Sequence, residues 1–271
     1  MAKSISICNQ KGGTGKTTTA VNLSASLGEL GKRVLLVDAD PQGNATSGVG
    51  VNKNELNKSV YDLLLNKSTV EETIMRDICI GIDLIPCNIN LTGAEIELVG
   101  AFSRENRLKK ALEPIKEKYD YIFIDSPPSL GLLTLNALVA SDSILIPIQC
   151  EFYALEGVSQ LLNTIQLIKN DLNSSLCIEG VLLTMADFRT NLTSEVINEI
   201  KTYFKDKVYN TIIPRNIKLS EAPSHGKPIN LYDSHSIGAQ RYKELAFEFI
   251  GMEPEQVDEV KENSPDLFRR D

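Results

Sequence analysis

The feature that most narrows the fold is a glycine-rich turn between a β-like run and a helical one. Ser4-Ile5-Ser6-Ile7-Cys8 leads into Asn9-Gln10-Lys11-Gly12-Gly13-Thr14-Gly15-Lys16-Thr17-Thr18, after which Ala20, Leu23, Leu27 and Leu30 recur at helical spacing. A strand that turns through glycines into a helix leaves several backbone N–H groups unpaired and aimed at one point, backed by the positive end of the helix dipole. Such a turn is a phosphate cradle. Gly12, Gly13 and Gly15 allow a phosphate to approach the backbone closely and permit angles that side chains forbid. Lys16 is then placed to reach β- and γ-phosphates, and the Thr17 hydroxyl to ligate Mg²⁺. The usual pattern G-x-x-x-x-G-K-[ST] is not met in full. Gln10 stands where its first glycine would fall, and an additional lysine, Lys11, follows.

Further apolar runs at Arg33–Val37, Ile82–Ile85, Tyr121–Ile124, Ile144–Ile148, Ile178–Thr184 and Val208–Ile213 read as strands. Their near-continuous apolar character fits strands covered on both faces, hence a largely parallel sheet. Segments of helical length and spacing lie between them, at Thr17–Leu30, Arg104–Lys118, Leu130–Ala140, Leu155–Lys169 and Thr193–Phe204. The expected fold is α/β, a doubly wound, mainly parallel sheet with helices on both faces. Residues 1–251 are expected to form one domain. Residues 252–271, rich in charge and without apolar periodicity, are expected to form a frayed tail. Gly43–Asn57 reads as a loop near the nucleotide.

A chain of 271 residues can bury a sizeable core. No run of 18 apolar residues occurs, and Met1-Ala2-Lys3 passes straight into the first strand, so a cytoplasmic protein is expected. Five cysteines without a C-x-x-C pair read as reduced structural thiols, and two histidines give little support to histidine-based metal chemistry. The net charge of −8 argues against a surface coated for nucleic acid as a whole. It is unevenly spread, for Arg189 to Lys243 holds nine Lys/Arg and five Asp/Glu, leaving +4 there and −12 elsewhere.

Ligands of open parallel sheets bind beyond the carboxyl ends of the strands. Asp38 and Asp40 follow one such run and Asp125 follows another. Asp125 is placed to hold a Mg²⁺-bound water, and Asp40 to orient an attacking water and accept its proton. The competing reading, strongest for Asp38, is a loop carboxylate that caps a following helix.

Three stretches together resemble the deviant-Walker ATPases of the ParA/MinD superfamily: Lys11 to Thr18, Asp38-Ala39-Asp40-Pro41-Gln42-Gly43-Asn44 and Asp125-Ser126-Pro127-Pro128-Ser129-Leu130-Gly131. Glu151-Phe152-Tyr153-Ala154-Leu155-Glu156-Gly157, Ile213-Pro214-Arg215-Asn216 and Leu219 to Pro228 extend the likeness to the ParA, Soj-like branch, as far as about Gly251. The resemblance implies an ATPase using ATP and Mg²⁺. Lys11 is then the signature lysine that reaches a partner's nucleotide in an ATP-dependent homodimer; the alternative is contact with phosphate in its own chain alone. Asp40 matches the hydrolytic aspartate, Asp125 the Walker B position and Thr17 the metal ligand, while Pro214 and Asn216 match residues framing adenine. Thr14 departs from the valine or isoleucine common in the family.

Members of this branch bind double-stranded DNA without sequence preference and work with a ParB-type centromere-binding protein, which implies location on the nucleoid. Arg189 and Lys218 match basic positions tied to DNA binding, and Lys201, Lys205 and Lys207 are either part of that patch or a solvated face. The resemblance thus implies a chromosome- or plasmid-partitioning ATPase. Two alternatives remain, a MinD-like membrane-associated positioning ATPase and an iron–sulfur reductase that shares the phosphate loop. The tail lacks an amphipathic anchor, which opposes the first, and the cysteines lie outside cluster motifs, which opposes the second.

Overall fold

The computed structural model describes residues 1–252 apart from residue 153. One sheet joins β1 (Lys3–Ile7), β2 (Val34–Asp38), β3 (Met75–Cys79), β4 (Ile82–Ile85), β5 (Tyr121–Asp125), β6 (Ser143–Gln149), β7 (Cys177–Ala186) and β8 (Val208–Pro214). Their spatial order is β3-β4-β2-β5-β1-β6-β7-β8. Every pairing is parallel except that of β3 with β4. The chain builds outward from β1 to β2 and β4, returns to insert β5, and continues on the other side with β6 to β8. A crevice for a ligand opens where the direction reverses, at the carboxyl ends of β1, β5 and β6.

The connections contain α1 (Lys16–Glu29), α2 (Asn44–Gly48), α3 (Val60–Leu64), α4 (Val70–Thr73), α5 (Leu91–Glu97) and α6 (Arg107–Leu112). They continue with α7 (Leu132–Val139), α8 (Glu156–Asp171), α9 (Asn191–Phe204), α10 (Ile217–Glu221), α11 (Ile229–Tyr232) and α12 (Ile237–Phe249).

Alternate residues of each strand face opposite layers. Ile5, Ile7, Leu36 and Phe123 pack against α1 and α12 through Leu23, Leu27, Tyr242 and Leu245. Leu35, Val37, Ile122 and Ile124 meet Leu63, Leu112 and Leu133 on the other face. Burying each such Leu or Ile stabilises the fold by about 1.5–3 kcal/mol. The buried hydroxyls of Thr19 and Tyr242 lie 3.2 Å apart and fasten the first turns of α1 to α12. The helix that carries the glycine loop is therefore held along one whole side.

The parallel, doubly wound frame is as expected, with local differences. The helix expected over Arg104–Lys118 is broken into a 3-10 turn, α6 and a second 3-10 turn; α6 ends where Pro114 has no N–H to continue the α-helical ladder. The segment expected as a loop at Gly43–Asn57 contains α2. Strand β3 and the C-terminal helix α12 were not anticipated. The expected tail, from residue 253 onward, and Tyr153 lie outside the described residues.

Candidate functional site

The loop that follows β1 is shaped by two glycines in the left-handed region, Gly13 at φ +75° and Gly15 at φ +85°. Gly15 is the N-cap of α1 and supplies no side chain, and no acidic residue occupies the first helical turn. The leading N–H groups and the helix dipole are thus left for an external anion. The loop is pinned from beneath. Asn9 Nδ2 donates to the Pro147 carbonyl at 2.7 Å, Asn9 Oδ1 accepts from the Lys11 N–H at 3.0 Å, and Thr184 Oγ1 donates to the Thr14 carbonyl at 2.9 Å. Thr14 itself is buried, with its hydroxyl 3.4 Å from the Lys11 carbonyl. The departure from valine or isoleucine is thereby absorbed inside the loop.

Lys16 is buried, and its Nζ donates to the Lys11 carbonyl at 3.0 Å. Burial draws its pKa below the ordinary lysine value, with the charges of Asp125, Cys8 and Asp40 opposing the shift. Lys11 is half-exposed, and its Nζ forms an ion pair with Glu151 Oε1 of the same chain.

The carboxylates converge because β2 and β5 are neighbours in register, Asp38 opposite Asp125. Asp125 is fully buried, and neither carboxylate oxygen has a hydrogen-bond partner. Burial, then the charge of Asp38, pushes its pKa well above the carboxylate range, with the Thr17 hydroxyl acting against the shift. A buried polar atom without a partner costs about 1–3 kcal/mol, so the oxygens of Asp125 fit the donors of a hydrated cation. Among the described residues no group of three or more His, Cys, Asp or Glu could hold a metal ion. A Mg²⁺ held by Thr17 and, through water, Asp125 would take its remaining oxygens from water and phosphate, as is usual for this ion.

Asp38 does different work. Its Oδ2 accepts from the Thr46 N–H and hydroxyl, both at 2.7 Å, and its Oδ1 from the Asp40 N–H at 3.3 Å. Of the two readings left open by the sequence, this geometry is that of a loop carboxylate tying α2 to the strand end. Burial raises its pKa to about 6. Asp40 is buried beside it, its Oδ1 accepting from the Gln42 N–H at 2.9 Å. Thr46 also accepts from the Cys87 N–H through its hydroxyl at 2.9 Å, so it fixes the whole turn. No sequence pattern marks this residue.

A cavity of about 430 Å³ opens beside the loop, walled by Thr17, Thr18, Asn44, Ser47, Lys53 and Lys227 among others. Pro214 ends β8 opposite Ala186 of β7, two residues beyond the Thr184 that props the loop. Asn216 caps α10, its Oδ1 accepting from the Leu219 N–H at 3.1 Å. Both residues therefore stand at the same end of the sheet as Lys16.

Arg189 and Lys218 follow the adjacent strands β7 and β8, and both are ion-paired. Arg189 grips Asp187 through Nε at 2.8 Å and Nη2 at 2.6 Å, which holds the Asp187 pKa down at about 2. Lys218 Nζ lies 3.0 Å from Glu221 and 5.6 Å from the centre of the Tyr232 ring. No sequence pattern marks Asp187 and Glu221 as partners of these cations, or Glu151 as the partner of Lys11. Lys201, Lys205 and Lys207 are on or just after α9, away from these pairs in sequence.

The AAA domain family matches residues 2–178. The sporulation initiation inhibitor protein Soj of Bacillus subtilis (strain 168) is 63% identical over 248 residues, which cover 92% of this chain and 98% of that protein. The chromosome partitioning protein ParA of Myxococcus xanthus (strain DK1622) is 53% identical over 246 residues, covering 92% and 87%. Among solved structures, cobyrinic acid a,c-diamide synthase from Mycobacterium smegmatis with bound ADP and magnesium matches with a TM-score of 0.81 at 37% identity, over 92% of this chain and 94% of that one. The septum site-determining protein MinD complexed with Mg-ADP from Pyrococcus horikoshii OT3 matches at 0.73 and 27% identity, over 92% and 98%.

Proposed function

We propose, for a chain that belongs to the Soj/ParA family of deviant-Walker ATPases, that ATP hydrolysis serves as a switch between a monomer and a DNA-bound dimer in partitioning. The observation that carries this reading is the pairing of an uncapped glycine loop with a buried carboxylate that has no donor of its own.

In this reading the N–H groups of Gly12 to Thr18 and the ammonium of Lys16 hold the β- and γ-phosphates, and Pro214 and Asn216 border the base. Thr17 and Asp125 hold Mg²⁺, which supplies positive charge against the phosphate oxygens. Asp40 orients a water toward the γ-phosphate and takes its proton. Lys11 of each protomer neutralises the triphosphate of the other, so the dimer depends on ATP. Dimerisation doubles the cationic surface around Arg189 and Lys218, which then contacts DNA phosphates without reading bases. A ParB-type partner stimulates hydrolysis, and the protein resides on the nucleoid. No described helix is long and apolar enough to cross a membrane.

The test is duplex binding measured with ATP, with ADP and without nucleotide, for wild type, Lys16→Ala and Asp40→Ala. Binding is expected for wild type with ATP alone. Lys16→Ala should lose it, and Asp40→Ala should keep it while phosphate release stops. Equal binding with ADP, or continued turnover by Asp40→Ala, contradicts the reading.

A further inference from the structure

We propose that Glu151 is a positioning residue for Lys11: in the nucleotide-free chain it retains the ammonium group within its own protomer, and the triphosphate of a second copy must draw that group away. This rests on the dimer reading above. The contact itself is a property of the single chain.

The pair follows from the order of the strands. β6 is hydrogen-bonded to β1, so the residues just beyond the two strand ends come together. Both backbones are anchored. Lys11 is held through Asn9 to the Pro147 carbonyl within β6. Just past β6, the Cys150 N–H donates to the Thr184 carbonyl at 3.0 Å, and the Glu151 carbonyl accepts from Ala154 at 3.0 Å. The neighbouring Gln10 Nε2 donates to Gln160 Oε1 of α8 at 2.9 Å. Two consecutive side chains thus dock the front of the loop on the segment that follows β6. The opposite charge of Glu151 faces Lys11 at that point.

The second lysine is engaged as well, for Lys16 Nζ donates to the carbonyl of Lys11 itself. A phosphate that recruits Lys16 removes a bond from the very residue whose side chain Glu151 holds. Filling the site in one chain therefore loosens the backbone that carries the group destined for the other chain.

The strength of the contact suits this role. The side chains are 40% and 36% exposed, and ion pairs at such positions shift an equilibrium by up to about fivefold. A triphosphate with several charges in a partly desolvated interface competes successfully. A symmetric dimer must release two such contacts, so Glu151 opposes dimerisation by up to about 25-fold. It raises the threshold for pairing equally for every nucleotide whose dimer requires Lys11 to leave.

The experiment compares Asp40→Ala with Asp40→Ala/Glu151→Gln, a change that keeps the shape of the side chain and removes its charge. Sedimentation velocity across protein concentration with saturating ATP gives the dimer constant. Acetylation of Lys11 in the nucleotide-free proteins, followed by peptide mass spectrometry with Lys3 as internal reference, reads the contact without any dimer. The expected result is a dimer tightened by between about twofold and 25-fold, and faster labelling of Lys11. Unchanged labelling overturns the proposal, and so does a weaker dimer, which would mean that Glu151 serves the interface instead. If Asp40→Ala alone fails to pair with ATP, the dimer reading falls, and the labelling decides whether Glu151 holds Lys11.

Discussion

Arg189 offers a direct test of the proposed DNA surface, because its own chain supplies a carboxylate that competes for it. Its side chain is 86% exposed yet clamped by Asp187 through two nitrogens, so a passing phosphate meets a neutral pair. Asp187→Asn removes the charge and leaves the turn intact, because the backbone carbonyl of Asp187 accepts from the Thr190 N–H and hydroxyl, both at 3.2 Å. Each cation that gains a phosphate steepens the dependence of log K on log salt by about 0.9, hence about 1.8 for a dimer. Between about 50 and 200 mM salt, a fourfold change, the advantage of Asp187→Asn over wild type should therefore shrink by about 12-fold. Fluorescence anisotropy with a random-sequence duplex provides the assay, with both proteins carrying Asp40→Ala and saturated with ATP. Adding Arg189→Ala should return the slope to that of Arg189→Ala alone. Parallel salt lines for wild type and Asp187→Asn would refute the reasoning, since the freed arginine would then have found no phosphate.

Two predictions concern the buried carboxylates. Asp125→Asn should melt at a higher temperature than wild type without nucleotide and should lose ATP turnover. An acid whose folded pKa lies above its unfolded value loses stability as pH rises through the folded value, so the melting gap should widen from about pH 5 to about pH 8; calorimetry showing a gap that narrows would contradict the burial argument. For Asp38 the rise from 3.8 to about 6 means that ionisation destabilises the fold by about 3 kcal/mol near pH 7.5, a penalty that fades toward pH 4. Asp38→Asn escapes this penalty but loses the long contact from the Asp40 N–H, a change of about 1 kcal/mol. In urea denaturation the variant should be the more stable near pH 7.5 and lose that lead near pH 4.5, and a pH-independent difference would count against the assignment.

The frame was legible because β2, β5 and β6 are covered on both faces and therefore apolar along their whole length. β3 gave no such signal, being half exposed at the edge of the sheet with Arg76 and Asp77 in its middle. Helix α2 has no apolar stripe and owes its place to Asp38 and Cys87 binding Thr46, the second of these from a segment distant in sequence. In α12 small Ala and Gly residues alternate with Tyr242 and Leu245, which blurs the helical period. At the site, the loop glycines, Lys16 and Thr17 stood out by the spacing of the glycine-rich turn, and Asp40 and Asp125 by their place just after strand-like runs; their proposed roles await the tests above. The partners of the cations could not, since Glu151 meets Lys11 only once β1 and β6 are side by side.

These partners divide the charged groups into two kinds, and the division indicates how such a switch can work without refolding. Lys11, Lys16, Arg189 and Lys218 each rest on an oxygen of their own chain. Three of the four contacts are partly exposed ion pairs, which exchange partners at little cost. Asp125 is the opposite case, fully buried, with neither oxygen in a well-formed hydrogen bond and only the Thr17 hydroxyl acting in favour of its charge, so a bound cation would satisfy oxygens that solvent does not reach. Nucleotide binding on this reading gains most at Asp125 and draws Lys16 from the loop carbonyl. The remaining steps trade one anion for another, carboxylate for phosphate of the nucleotide at Lys11 and carboxylate for phosphate of DNA at Arg189 and Lys218. Hydrolysis reverses the sequence by removing the γ-phosphate, the anion that competes with Glu151, after which the carboxylates of the chain reclaim their cations.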